Sequence, residues 1–144
     1  MSTKVVFDSN IYLSAVAAPG AYSRSWLQAA RRPGRTFDVY ISMPLIDEVK
    51  EKLLNKFRLP VELADEFISE IFDTTNLVKP TEDISVLQRD PDDNKVLECA
   101  LAAGALIVIS ADKDLLQLRG FRDIVVYHPN NLKYLFPQDF TRAI

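Results

Sequence analysis

Lys4-Val5-Val6-Phe7-Asp8-Ser9-Asn10 and Ala105-Leu106-Ile107-Val108-Ile109-Ser110-Ala111-Asp112-Lys113-Asp114 share one plan: an unbroken apolar run that ends in a short acidic turn. Apolar runs without alternation suit strands covered on both faces, as in a parallel sheet. In open parallel sheets, ligands bind beyond the carboxyl ends of the strands, where the strand order reverses. Asp8 and Asp112 stand at two such ends, so a cation site is the leading expectation. An Asp after a strand is also an ordinary turn or helix-cap residue, and neither acid decides the matter alone.

Outward from these two runs, strand and helix alternate. Helices are expected over 11–18 and 22–32, the first stopped by Pro19-Gly20 and the second carrying Trp26, Leu27 and Ala30 on one side. A strand over 37–41 leads to Ser42, placed to cap a helix over 44–56 with Pro44 in its first turn. That helix lines up Leu45, Val49 and Leu53. A helix over 61–73, striped by Leu63, Phe67 and Ile71, precedes a short strand at Leu77-Val78. Asp90-Pro91-Asp92-Asp93 opens a helix that Gly104 stops. A helix over 112–118, a strand over 124–126 and a helix over 130–136 close the chain. The alternation predicts an α/β fold: a three-layer α/β/α sandwich around a mostly parallel five-stranded sheet. The expected topology is doubly wound, with the first strand central and the fourth beside it.

Composition narrows the chemistry. The 144 residues fit one domain, and 48% hydrophobic residues are enough for a full core. No apolar run approaches the roughly 18 residues of a membrane span. Met1-Ser2-Thr3-Lys4 leads directly into a strand, so no secretory leader is expected. Cys99 is the single cysteine and His128 the single histidine. One chain therefore supplies no internal disulfide, no Cys/His zinc site and no Cys-His or Ser-His catalytic unit. The lone cysteine fits a reducing, cytoplasmic setting. Any metal site must be built from oxygen ligands. A net charge of −3 does not advertise nucleic-acid binding, although local basic patches matter more than the total.

Two further acids stand out by position. At about 100° per residue, Glu48 lies beside the Leu45, Val49 and Leu53 stripe, whereas Glu51 points nearly opposite. Asp93 shares the stripe of Leu97, Ala100 and Leu101. Acids in a first helical turn are favoured by the helix dipole in any case, so Asp90 reads as an N-cap and Asp92 as solvated. The conjunction carries the argument. Asp8, Glu48, Asp93 and Asp112 would all lie at one sheet edge. Four clustered carboxylates raise each other's pKa unless a counter-ion is present. A hard divalent cation, Mg²⁺ or Mn²⁺, resolves that conflict.

Four motifs, in this order and spacing, resemble the PIN-domain ribonucleases, especially the toxin components of bacterial and archaeal toxin–antitoxin pairs such as the VapC toxins. They are Val5-Val6-Phe7-Asp8-Ser9-Asn10, Ser42-Met43-Pro44-Leu45-Ile46-Asp47-Glu48-Val49, Asp93-Asn94-Lys95-Val96-Leu97-Glu98-Cys99-Ala100, and Leu106 through Leu115. The resemblance covers essentially the whole chain. It implies a ribonuclease whose acid quartet, by position Asp8, Glu48, Asp93 and Asp112, holds Mg²⁺ or Mn²⁺. Asp114 competes with Asp112 for the fourth place. Polar residues usual in the family stand at Asn10 and Ser110, where they would fix ligands or water. An antitoxin partner and a homodimer are also implied.

The expected chemistry is metal-assisted hydrolysis of an RNA phosphodiester, with water as the nucleophile. Arg24, Arg31, Arg32 and Lys52 are candidate backbone contacts, although charges on helix faces are mostly plain surface. Two other classes remain in view. A Mg²⁺-dependent phosphatase would carry Asp-x-Asp after its first strand, where this chain has Asp8-Ser9-Asn10. A catalytically inactive RNA- or protein-binding scaffold would have little need of a full acid set.

Overall fold

Asp8 lies at the end of the central strand of a parallel sheet. The computed structural model describes residues 2–18, 22–84, 91–118 and 120–140, with backbone alone at 91–93. In chain order the elements are β1 (Thr3–Phe7), α1 (Ser9–Ala17), α2 (Tyr22–Ala30), β2 (Phe37–Ser42), α3 (Met43–Asn55), α4 (Val61–Thr74), β3 (Asn76–Val78), α5 (Pro91–Ala103), β4 (Ile107–Ile109), α6 (Lys113–Gln117) and β5 (Val125–Tyr127). A 3₁₀ turn (Pro129–Asn131), α7 (Leu132–Leu135) and α8 (Pro137–Phe140) follow. The five strands lie in the order β3-β2-β1-β4-β5, and every pair is parallel. The chain runs outward from β1 through β2 to β3, then returns to place β4 on the other side of β1. The strand order therefore reverses between β1 and β4, which puts the crevice beyond Phe7 and Ile109.

Side chains alternate across the strands. Val5 and Phe7 share one face with Phe37, Val39 and Ile41, in register with Val5 opposite both Val39 and Ile107. On that face Trp26 of α2 is fully buried. Its ring meets Phe7 at 5.7 Å, Phe37 at 5.4 Å, Phe136 at 5.8 Å and Phe140 at 4.8 Å between centroids. Its Nε1–H donates to the Pro129 carbonyl at 2.8 Å. Residues 129–140 thereby seal the aromatic core. α5 covers the opposite face, where Lys4 Nζ donates to the Ala103 carbonyl at 3.0 Å and stands over the Tyr40 ring.

Several boundaries differ from the sequence expectation, each for a local reason. β4 begins at Ile107, not Ala105, because the Ala105 amide bonds back to Ala100 and finishes the last turn of α5. Gly104 makes that reversal with φ of +71°. A Cβ there would meet nothing closer than Lys4 Nζ at 3.9 Å, so Gly104→Ala is expected to cost about 1–2 kcal/mol through backbone strain alone. A urea-unfolding midpoint unchanged from wild type would refute this. β5 begins one residue late because Ile124 and Phe121 exchange both backbone hydrogen bonds around Arg122 and Asp123, both at positive φ. The expected helix over 130–136 breaks into the 3₁₀ turn and the short α7. Phe136 leaves the helical region, with φ −136° and ψ 69°, ahead of Pro137, which disfavours a helical residue before it. In α4 the buried positions are Ala64, Ile68 and Ile71, while Leu63 is exposed and Phe67 half-buried. The small Ala64 side chain, not Leu63, makes the close approach.

Ser42 occupies the N-cap position of α3 but makes no cap hydrogen bond. Its Oγ is turned inward and buried beside Cys99, whose thiol is pushed up to about 12 by burial, with the Ser42 hydroxyl opposing the rise. Among the described residues, no helix is long and apolar enough to cross a membrane.

Candidate functional site

Asp8 follows β1 directly, at the N-cap position of α1, yet its side chain does not cap that helix. It is buried, at 3% exposure, and its Oδ2 accepts a hydrogen bond from Ser110 Oγ at 2.8 Å. Ser110 stands one residue past β4, and its Oγ in turn accepts from the Asp112 amide at 3.0 Å. The two acidic turns are thus tied across the switch point by one hydroxyl. The ordinary cap explanation fails for Asp8. For Asp112 it holds geometrically: Asp112 Oδ1 accepts from the amides of Asp114 and Leu115 and caps α6.

Glu48 is the sixth residue of α3, in its second turn. Its side chain is 8% exposed. Its Oε2 accepts from Ser9 Oγ, and Lys52 Nζ, one turn on, lies 3.5 Å away. Its Oε1 is buried without a hydrogen bond and faces Lys95 Nζ of α5 at 3.7 Å. Because Lys95 reaches Glu48, the first turns of α5 lie against the same site. Asp93 is the third residue of α5. Its side chain lies outside the described residues.

The electrostatics follow from this crowding. Burial pushes the Asp8 carboxyl up to about 6; the Ser110 hydrogen bond opposes the rise, and the charges of Glu48 and Asp112 add to it. Among the described residues, no three His, Cys, Asp or Glu side chains close into a cage for a metal ion. The donors present nevertheless suit a hard cation. They are carboxylate and hydroxyl oxygens, one carboxylate oxygen is buried and unsatisfied, and the buried Asp8 is ionised at a cost that a nearby cation would lower.

The other sequence candidates divide by place. Asn10 is exposed, and the buried hydroxyl in that turn belongs to Ser9. Helical spacing carried this signal: Ser9 is three and four residues ahead of the buried Tyr12 and Leu13, whereas Asn10 aligns with Ser14 and Ala17. Lys95, one turn ahead of the buried Cys99, is the second group sequence reasoning passed over. Arg24 donates to the Ala15 carbonyl at 2.8 Å, in the last turns of α1. Arg31 pairs with Glu70 at 3.5 Å. Arg32 donates to the Asp139 carbonyl at 2.8 Å. Arg31 and Arg32 follow α2 and lead into the start of β2, at the sheet edge opposite the acids. Of the four suggested backbone contacts, Lys52 stands at the acids. His128 accepts the Asn130 amide through Nδ1 and caps the 3₁₀ turn.

A parallel, doubly wound sheet with buried, hydrogen-bonded acids at its switch point defines a class of oxygen-ligand sites. The PIN domain pattern matches residues 4–114, and the chain belongs to that family. It is 27% identical to the uncharacterised protein MJ1680 of Methanocaldococcus jannaschii, over 95% of this chain and 88% of that one. Its fold is similar to a chain in the crystal structure of VapBC2 from Rickettsia felis bound to a DNA fragment from their promoter, with TM-score 0.62, 9% identity, and coverage of 88% of this chain and 98% of that one. It is also similar to PAE2754 from Pyrobaculum aerophilum, with TM-score 0.60, 14% identity, and coverage of 95% and 90%.

Proposed function

We propose that the protein is a metal-dependent endoribonuclease, a single nuclease domain acting as the toxin of a toxin–antitoxin pair in the cytoplasm. The observation that carries this reading is the buried Asp8, held by Ser110 across the switch point and crowded by Glu48 and Asp112. Family membership supports it. Asp8, Glu48, Asp93 and Asp112 would hold Mg²⁺ or Mn²⁺. Held there, such an ion would supply a water nucleophile at neutral pH and offset charge on the phosphate. The remaining work falls to the chain itself. Ser110 orients Asp8, and Ser9 orients Glu48. Asp112 caps α6 through Oδ1 and fixes the turn that presents Ser110. The apolar floor of Phe7 and Ile109 keeps the Asp8 carboxylate out of bulk water. A small antitoxin that blocks the site and a homodimeric assembly complete the proposal.

The test is a cleavage assay on single-stranded RNA. Activity is expected to vanish in chelator and to return with Mg²⁺ or Mn²⁺. Cleavage undiminished in chelator would overturn the mechanism. Divalent-ion binding without any cleavage, across varied RNA, would favour the inactive scaffold instead.

A further inference from the structure

An RNA backbone approaching this site meets three acids, Asp8, Glu48 and Asp112, before any catalysis begins. Like charges repel it unless cations stand at the mouth. Arg24, Arg31 and Arg32 lie away from Glu48, held by the Ala15 carbonyl, Glu70 and the Asp139 carbonyl. Lys52 and Lys95 are placed differently. They come from two helices, α3 and α5, and flank the two oxygens of Glu48 at 3.5 and 3.7 Å. Both distances exceed an ordinary N–H···O hydrogen bond, so these contacts with Glu48 are ion pairs and not hydrogen bonds. About a third of each side chain is exposed, 31% and 34%, against 8% for the carboxylate between them. Each ammonium carries three donors. The two charges thus stand between a buried acid and solvent, on flexible stems that reach outward.

We propose that Lys52 and Lys95 form the phosphate-contact pair of the site, holding Glu48 while no substrate is present and engaging backbone phosphates of single-stranded RNA when it arrives. The proposal rests on the ribonuclease reading and names the residues that receive its substrate. A purely structural brace between α3 and α5 would explain the two ion pairs but does not call for both ammonium stems to stay partly exposed at the mouth of the acids.

The experiment compares Lys52→Gln and Lys95→Gln with Arg122→Gln, which removes the same charge from a surface pair with Glu82 in the turn before β5. The substrate is a single-stranded oligoribonucleotide, and KM is followed against salt. Each lysine variant is expected to raise KM about tenfold with kcat within roughly twofold. Each should also flatten the dependence of log KM on log salt by about 0.7, the value for one phosphate contact on a single strand. Lys→Arg at either position should restore the slope, and Arg122→Gln should leave it unchanged. Titration with Mn²⁺ should show no loss of metal affinity in the glutamine variants. Unchanged KM and salt slope, with altered metal affinity or thermal stability alone, would overturn the proposal and leave the lysines as a brace. Should the wild type cleave no RNA, the ribonuclease reading falls separately. Anisotropy with the same oligoribonucleotide then decides the lysine roles: binding that the lysine variants weaken and Arg122→Gln does not supports the pair, and equal binding rejects it.

Discussion

Asp8→Asn is expected to reduce RNA cleavage by on the order of a thousandfold, equivalent to about 4 kcal/mol of lost transition-state stabilisation, while raising the stability of the metal-free protein at neutral pH. The second half of this result follows from the position of the carboxyl. Burial and neighbouring charge hold its pKa at about 6 in the folded chain against 3.8 in the open one. Between those values the folded state binds more protons than the unfolded state, so metal-free stability falls as pH rises from about 4 to about 6. At roughly 1.4 kcal/mol per unit, the loss is of order 3 kcal/mol. Asparagine has the same shape and no charge. Its amide oxygen still accepts from Ser110 Oγ, and the pH-dependent loss disappears. Urea unfolding in chelator at pH 4.5 and pH 7 measures both effects. A variant that retains wild-type cleavage, or that unfolds more easily at pH 7, would contradict the assignment of Asp8.

Trp26→Ala is expected to be the most destabilising single substitution in the aromatic core, at about 3–5 kcal/mol for the lost ring, with roughly another 1 kcal/mol for the orphaned Pro129 carbonyl. Four aromatic rings lean on the indole, which is fully buried against that sheet face. Against a total stability of about 5–15 kcal/mol, the variant is expected to lie near the edge of folding. Trp26→Phe keeps an apolar ring and should cost less than half as much. Circular dichroism follows both, since Trp26 is the single tryptophan. A loss below about 1 kcal/mol for the alanine variant would mean that residues 129–140 do not seal the core as described.

The central architecture was legible because β1 and β4 carry their burial in their composition: Val5, Val6, Phe7, Val108 and Ile109 are buried on whichever face they point to. Leu45, Val49 and Leu53 likewise announced the inner face of α3 and, beside it, the place of Glu48. Less legible were positions where backbone hydrogen bonds were already committed. Ala105 and Ile124 look like strand residues, yet each spends its amide on a turn. The stripe of α4 was misjudged because hydrophobicity ranks Leu63 above Ala64, whereas close packing favours the smaller side chain. In the site, Asn10 entered through the family resemblance, whereas Ser9, in helical phase with the buried Tyr12 and Leu13, is the hydroxyl that reaches Glu48. Lys95 escaped notice because a lysine on a helix is usually plain surface, and only the fold brings it to Glu48.

The hydrogen bond between Ser110 and Asp8 joins residues 102 positions apart. During synthesis Asp8 is made first, and the partner that orients it arrives 102 residues later. A nascent chain halted before β4 has β1 paired on one side only and no switch point at all. On the proposed function, a chain halted before β4 has no assembled site and would cut no RNA, so the connectivity of the sheet would itself delay the activity.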